Sequence, residues 1–197
     1  SEKKYLGGGA HHANQFRKAA KLGGYSFRPG TRILDFGCSG GRLTRWFLDD
    51  ARKGVEVWGC DIDAPAIEWC QKNMMPPFRF FANTTSPHLP FRDQFFDFVY
   101  AGSVVNHIKD MGFAWMMEIA RCMKPGGIFV PTIIDENSLP LLYDAYGKDK
   151  TNILPNFIHD NEITAEKIQR KGFINRYSTS SPWLIGVIYS QEFFVRR

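Results

Sequence analysis

Ile33-Leu34-Asp35-Phe36-Gly37-Cys38-Ser39-Gly40-Gly41-Arg42 runs from an apolar strand through a glycine-rich turn into the start of a helix. Gly37 and Gly40 let the backbone approach a ligand where a Cβ would clash. The carboxyl end of a parallel strand is where open α/β sheets place their ligands. A dinucleotide site would show G-x-G-x-x-G, with a pyrophosphate at the helix N-terminus. Here the spacing is G-x-x-G-G, and Ser39 stands where that motif has its second glycine. The turn therefore suits a ligand without a pyrophosphate. The competing reading is a tight strand–helix turn that holds nothing.

Downstream, Val55 to Cys60 reads as a second strand ending at Asp61. Asp61 follows the glycine turn by about twenty residues, where an acid accepts hydrogen bonds from both hydroxyls of a ribose. An acid at this point also caps a helix, and Asp63 suits that role better because Ala64 and Pro65 follow it. The expectation is a capping Asp63 and a ribose-binding Asp61.

The rest of the chain alternates in the same way, which argues for an α/β fold with a mostly parallel sheet. Helices are expected at Ala13–Leu22, at Arg42–Ala51 with Leu43, Trp46 and Phe47 on one face, at Ala64–Asn73, at Phe113–Met123 and, with Thr164 as cap, at Thr164–Lys171. Strands are expected at Arg32–Phe36, Val55–Cys60, Phe78–Phe81, Phe96–Ala101 and Ile128–Ile134, where Pro131 implies a bulge or a strand end. Two last strands near Ile174–Tyr177 and Val187–Val195 would close the sheet as an antiparallel hairpin. Trp115 and Met116 read as core residues.

Four segments together carry a resemblance. Residues Ile33–Arg42 resemble motif I of the class I S-adenosylmethionine-dependent methyltransferases, and Gly59–Asp63 resemble their motif II acid. Leu89-Pro90-Phe91 followed by Phe96-Asp97-Phe98-Val99 resembles the family's approach to its fourth strand. Arg121-Cys122-Met123-Lys124-Pro125-Gly126-Gly127 resembles the segment before its fifth. The resemblance runs from about Arg32 to Thr132. It implies a three-layer, Rossmann-like sandwich with a seven-stranded, mostly parallel sheet and a C-terminal antiparallel hairpin. The chain would be one domain: residues 1–30 an N-terminal helical segment, 31–135 the cofactor-binding core, 136–162 a substrate loop and 163–197 the closing strands.

The resemblance also implies roles. Asp35, Gly37, Cys38 and Gly40 would surround the methionine part of S-adenosylmethionine, with Arg42 opening the helix beyond. Asp61 would hold the ribose and Ile62 would pack on the adenine. Many relatives carry an acid after the third strand, facing the adenine amine. Asn83 stands there, able to accept through its carbonyl oxygen, with Thr84 beside it. Ala101 and Gly102 would end the fourth strand next to the sulfonium.

Methyl transfer demands mainly that a nucleophile be held about 3 Å from the methyl group, in line with the S–CH3 bond, and such positioning contributes roughly 7–11 kcal/mol. A base matters only if the nucleophile must lose a proton. His107 is the candidate, because a neutral imidazole near pH 7 suits abstraction from a hydroxyl or amine. The alternative is that His107 only shapes the pocket. Asn106 and Tyr100 are weaker candidates, and Tyr5 or His12 are candidates for ligand contact. The aromatic-rich segment from Leu139 to Glu162, with Tyr143, Tyr146, Phe157, His159 and Asp160, suits a small organic acceptor or a sugar, or else packing on the core.

Composition narrows the partners. The 197 residues are 44% hydrophobic and 23% charged, ordinary for a globular protein. No apolar run reaches the roughly 18 residues a membrane span needs, and residues Ser1–Ala10 lack a signal-like apolar stretch, so a cytoplasmic protein with no membrane partner is expected. The four cysteines, Cys38, Cys60, Cys70 and Cys122, form no zinc spacing and are expected as free thiols with no metal. The net charge of +5 raises a nucleic-acid partner, but the basic residues are scattered among acids. The N-P-P-Y/F signature of amino-group DNA methylases is also absent where Ala101-Gly102-Ser103 stands.

The reading is methyl transfer to a small molecule, a sugar or other metabolite, at oxygen or nitrogen rather than carbon, by a monomer or homodimer. The alternatives are a nucleic-acid methyltransferase and a cofactor-binding scaffold without turnover.

Overall fold

The computed structural model describes residues 2–108, 111–135, 137–141, 164–171, 173–175 and 187–189, with side chains from Leu6 onward and none for 171–197. The chain divides into two compact units: Ser1–Val104 with Met111–Pro131, and Val105–Asp110 with Thr132–Arg197.

The first unit holds a five-stranded sheet. Its strands are β1 (Arg32–Phe36), β2 (Glu56–Asp61), β3 (Arg79–Ala82), β4 (Phe96–Ala101) and β5 (Met123–Pro131), in the order β3-β2-β1-β4-β5. All four pairings are parallel. The order reverses between β2 and β4 on either side of β1, so the crevice beyond β1 is the switch point at which such sheets bind ligands. β1 is buried on both faces, as a central parallel strand must be.

Alternation along the strands sorts side chains between two layers. Ile33, Val57, Phe80, Phe98 and Tyr100 share one core with Ala13, Phe16 and Ala20 of helix α1 (Glu2–Leu22), with Leu43 and Phe47, and with Ile67 and Cys70 of α3 (Ala64–Met74). Phe36 points the other way and packs on Trp115 of α4 (Gly112–Cys122), ring centroids 5.0 Å apart. This is the expected α/β architecture with helices on both faces of a parallel sheet. Trp115 is buried and Met116 half-buried.

Three elements depart from expectation. Helix α1 continues through Gly7-Gly8-Gly9, at a propensity cost of about 1 kcal/mol per glycine. The compensation is close packing: a Cβ at Gly9 would sit 2.6 Å from the Arg42 carbonyl oxygen and 2.9 Å from Trp46 Nε1. The helix expected at Arg42–Ala51 is a 3-10 turn (Thr44–Phe47) followed by the short α2 (Leu48–Arg52). Leu43 and Phe47 are buried as expected, but Trp46 is 40% exposed, because it packs under α1 instead of in the core.

The third departure concerns β5, which begins at Met123. Its pairing with β4 jumps from Phe96↔Met123 to Phe98↔Ile128, so Pro125-Gly126-Gly127 lies inside β5 as a bulge, beyond the end of α4 at Cys122. Pro131 ends the strand.

The second unit contains a 3-10 turn (Val105–His107), helix α5 (Ala165–Lys171) and strands β6 (Phe173–Asn175) and β7 (Val187–Tyr189). Thr164 caps α5, its hydroxyl accepting from the Lys167 N–H at 3.2 Å. The final strands pair antiparallel, as expected, but as a separate two-stranded sheet. Among the described residues they do not extend the five-stranded sheet to seven, and residues 176–177 and 190–195 of the expected hairpin lie outside those described. No helix among the described residues is long and apolar enough to cross a membrane.

Candidate functional site

The turn after β1 is held from below by its neighbour strand. The Gly37 and Cys38 N–H groups both donate to the Cys60 carbonyl, at 2.8 and 2.9 Å. Gly37 has φ +80°, and any Cβ there would collide with Val104, so its glycine serves the protein's own packing. Gly40 differs: a Cβ there would meet nothing within 4 Å, which leaves its backbone open to a ligand. Ser39 takes the left-handed conformation, φ 47°, and points its N–H at Asp61 Oδ2, 2.7 Å away. Arg45 reaches back to the carbonyls of Gly40 and Gly41. Cys38 is buried, its thiol near the Ser39 carbonyl at 3.5 Å, and burial pushes its pKa far up, so it contributes shape and not reactivity.

Asp61 joins the first two loops. Oδ2 accepts from Ser39 and Oδ1 accepts from the Asp63 N–H at 2.9 Å. Each carboxylate oxygen has a second lone pair, so the side chain retains capacity for a diol. Asp63 is the helix cap, accepting from the Ala66 N–H at 3.2 Å. Ile62, between them, exposes 43% of its surface.

Asn83 lies past β3, its N–H on the Asp61 carbonyl at 3.1 Å. Its Nδ2 donates to the Thr84 carbonyl at 3.1 Å. Its Oδ1 is buried and has no hydrogen-bond partner. A buried acceptor without a donor is costly in the protein alone and fits a ligand amine. Thr84 acts on Asn83 through its carbonyl, while its hydroxyl accepts from the Ser86 N–H at 3.3 Å.

Asp35 is fully buried two residues before Gly37, where the turn begins. Its Oδ2 accepts from the Thr44 hydroxyl at 2.6 Å, while Oδ1 has no partner. Tyr100, its register partner on β4, brings a hydroxyl close enough to favour the carboxylate but short of a well-formed hydrogen bond. Burial pushes the carboxyl up to about 7, against the pull of Thr44 and Tyr100; Asp61 adds to the rise and Arg42 opposes it.

Arg42 lies against α1, its Nη1 3.8 Å from where a Gly8 Cβ would be. His12, four residues on, has its pKa lowered by burial, then by Arg42 and His11. Ala101 ends β4 fully buried, and a Cβ at Gly102 would lie 2.6 Å from Leu43 Cδ1.

The structure thus gathers Gly40, Ser39, Asp61, Ile62 and Asn83 at the carboxyl ends of β1, β2 and β3, with Asp35 beneath. His107 is exposed and belongs, with buried Asn106, to the second unit. The side chains of Tyr5, Tyr143, Tyr146, Phe157, His159 and Asp160 lie outside those described. Thr44 and Val104 went unnoticed in the sequence. Their roles depend on where the chain folds back, and no local pattern marks either one.

A parallel sheet in this order, with a glycine turn after its first strand and an acid after its second, is the Rossmann-like arrangement that binds a nucleoside at its switch point, and the G-x-x-G-G spacing sets it apart from the dinucleotide-binding class. Residues 34–130 match the family described as "Methyltransferase domain", and this part of the chain is a class I S-adenosylmethionine-dependent methyltransferase domain.

The chain is 29% identical over 148 residues to the malonyl-[acyl-carrier protein] O-methyltransferase of Pseudescherichia vulneris, covering 75% of this chain and 53% of the relative. It is 28% identical over 137 residues to the ubiquinone/menaquinone biosynthesis C-methyltransferase of Bartonella quintana, covering 66% and 52%. The chain therefore spans about half the length of these two curated relatives. A Methanococcus maripaludis structure assigned to the S-adenosyl-L-methionine-dependent methyltransferases superimposes with a TM-score of 0.60 over 95% of this chain and 88% of that one. Its 14% identity makes this a likeness of fold.

Proposed function

We propose that this protein methylates a small-molecule acceptor, at oxygen or nitrogen, with S-adenosylmethionine as donor. The observation that carries the reading is the pairing of Asp61 with the unpartnered, buried Asn83 Oδ1 on adjacent loops. A carboxylate for a ribose diol and an acceptor for an exocyclic amine fit an adenosine. Ile62 supplies an apolar surface for the base, Gly40 an open backbone for the methionine part, and Arg42 a cation for its carboxylate. The bound cofactor supplies an electrophilic methyl group.

The protein's share is to hold the nucleoside through Asp61 and Asn83, and to fix the turn through Ser39 and Cys60. His107, three residues beyond Val104, is proposed as the base that takes the acceptor's proton. The small acceptor is supported by the two relatives, one an O- and one a C-methyltransferase by name. The O-methyltransferase name of the first relative supports the choice of a heteroatom over carbon.

The test is incubation with methyl-labelled S-adenosylmethionine and a fractionated metabolite extract, with RNA in parallel. Label in a low-mass fraction, lost in Asp61→Ala and reduced in His107→Ala, is the expected result. Label in RNA alone would replace the small acceptor with a nucleic acid.

A further inference from the structure

Asp35 lies at the base of the cofactor turn, fully buried, with one oxygen on Thr44 and the other unpartnered. Resting on the proposed function, we infer that Asp35 senses the charge of the bound nucleoside: it gives up a proton when cationic S-adenosylmethionine binds and regains one when neutral S-adenosylhomocysteine replaces it.

The argument starts from solvation. A buried carboxylate keeps its charge only if its surroundings replace water. Asp35 has one hydrogen bond for this, from Thr44, and the charges around it act in opposite senses. Arg42 favours the charged form, Asp61 opposes it, and Tyr100 is a neutral donor short of full geometry. The thiols of Cys38, Cys60 and Cys70 are held protonated by burial and add no charge. Burial therefore holds the carboxyl at about 7, where an added positive charge changes its protonation at neutral pH.

Methyl transfer removes one positive charge beside this turn. The S–CH3 bond breaks with its electron pair left on sulfur, a new bond forms to the acceptor, and the acceptor's proton leaves. On the proposed function, the ligand over this turn, with Asp35 beneath it, would carry a sulfonium before the step and a neutral thioether after it. By linkage, whatever moves the Asp35 proton equally moves the preference between the two ligands. Deprotonated Asp35 favours the cation, and protonated Asp35 is indifferent to the difference.

Isothermal titration with each ligand from pH 6 to 8.5 is the test, for wild type, Asp35→Asn and Thr44→Val. The ligands' own amino groups titrate identically against all three, so the comparison isolates Asp35. In wild type, relative to Asp35→Asn, the preference for S-adenosylmethionine over S-adenosylhomocysteine should rise by about threefold or more with pH, as a half-unit difference in proton affinity between the two complexes requires. Thr44→Val, which removes the hydrogen bond to the carboxylate, should move that rise to higher pH, and Thr44→Ser should leave it in place. If Asp35→Asn does not fold, the displacement in Thr44→Val relative to Thr44→Ser carries the test. If both ligands bind and the variants follow the wild-type pH profile, Asp35 is not the sensor, although the proposed function stands. If neither ligand binds wild type, both readings fall together.

Discussion

Asp35 and Asn83 are each buried with an oxygen that the protein does not satisfy, and each has a measurable consequence. For Asp35 the consequence is in stability. Its folded pKa is raised to about 7 from an unfolded value near 3.8, so between about pH 4 and 7 the folded state keeps a proton the unfolded chain has lost. Stability from this group therefore falls as pH rises through that window and levels off above it. Asp97 and Glu118 act in the opposite sense. Burial of Asp97 is outweighed by Lys124, the Arg32 N–H and Tyr25, and Arg121 is the main cause for Glu118. Both are held below the usual carboxylate range, so their stabilisation is lost only on acidification. The ligand-free protein should melt several degrees lower at pH 8 than at pH 6, and Asp35→Asn should show little change over that interval, both followed by circular dichroism. For Asn83 the consequence is in binding. Asn83→Leu should weaken S-adenosylhomocysteine by about tenfold, the worth of one buried hydrogen bond, while Asn83→Asp keeps an acceptor and should bind as wild type. Equal binding by Asn83→Leu would remove the adenine assignment.

At the scale of the elements, glycines separate packing from ligand approach. Gly37→Ala forces a side chain into Val104 at a positive φ and should destabilise by about 2 kcal/mol or more in thermal melts. Gly40→Ala has room, so it should fold normally and lose affinity for the nucleoside instead. In α1, Gly7→Ala meets no atom within 4 Å and should stabilise by up to about 1 kcal/mol, whereas Gly9→Ala should destabilise by prising the helix from Arg42. These contrasts also show what the chain made legible. Strands β1 and β4 fall where their apolar runs place them, and the Asp63 cap is visible because capping is a matter of adjacent residues. The continuation of α1 through three glycines is not visible. Local propensity opposes it, and the close approach to Trp46 that compensates it is tertiary. The same holds for Thr44 on Asp35, whereas Asp61 and Asn83 could be placed from strand ends alone.

For the whole molecule, the resemblance that identified the family mixes two kinds of residue. Arg121 holds Glu118, Asp93 and the carbonyls of Leu89 and Phe91, and Asp97 holds Lys124 and the Arg32 N–H. These motif residues fasten the sheet to its loops and touch no part of the candidate site, so they signal the fold and carry no information about the acceptor. Asp61, Gly40 and Asn83 are the residues proposed to hold the cofactor. The claim on which everything else depends is that this site takes an adenosyl ligand without a pyrophosphate, and thermal unfolding with S-adenosylhomocysteine against NAD tests it most directly. At 100 times its dissociation constant, S-adenosylhomocysteine should stabilise by about 2.7 kcal/mol and raise the midpoint by roughly 5–10 °C, with no shift from NAD and none in Asp61→Ala. No shift with S-adenosylhomocysteine at millimolar concentration, or an equal shift with NAD, would contradict the account.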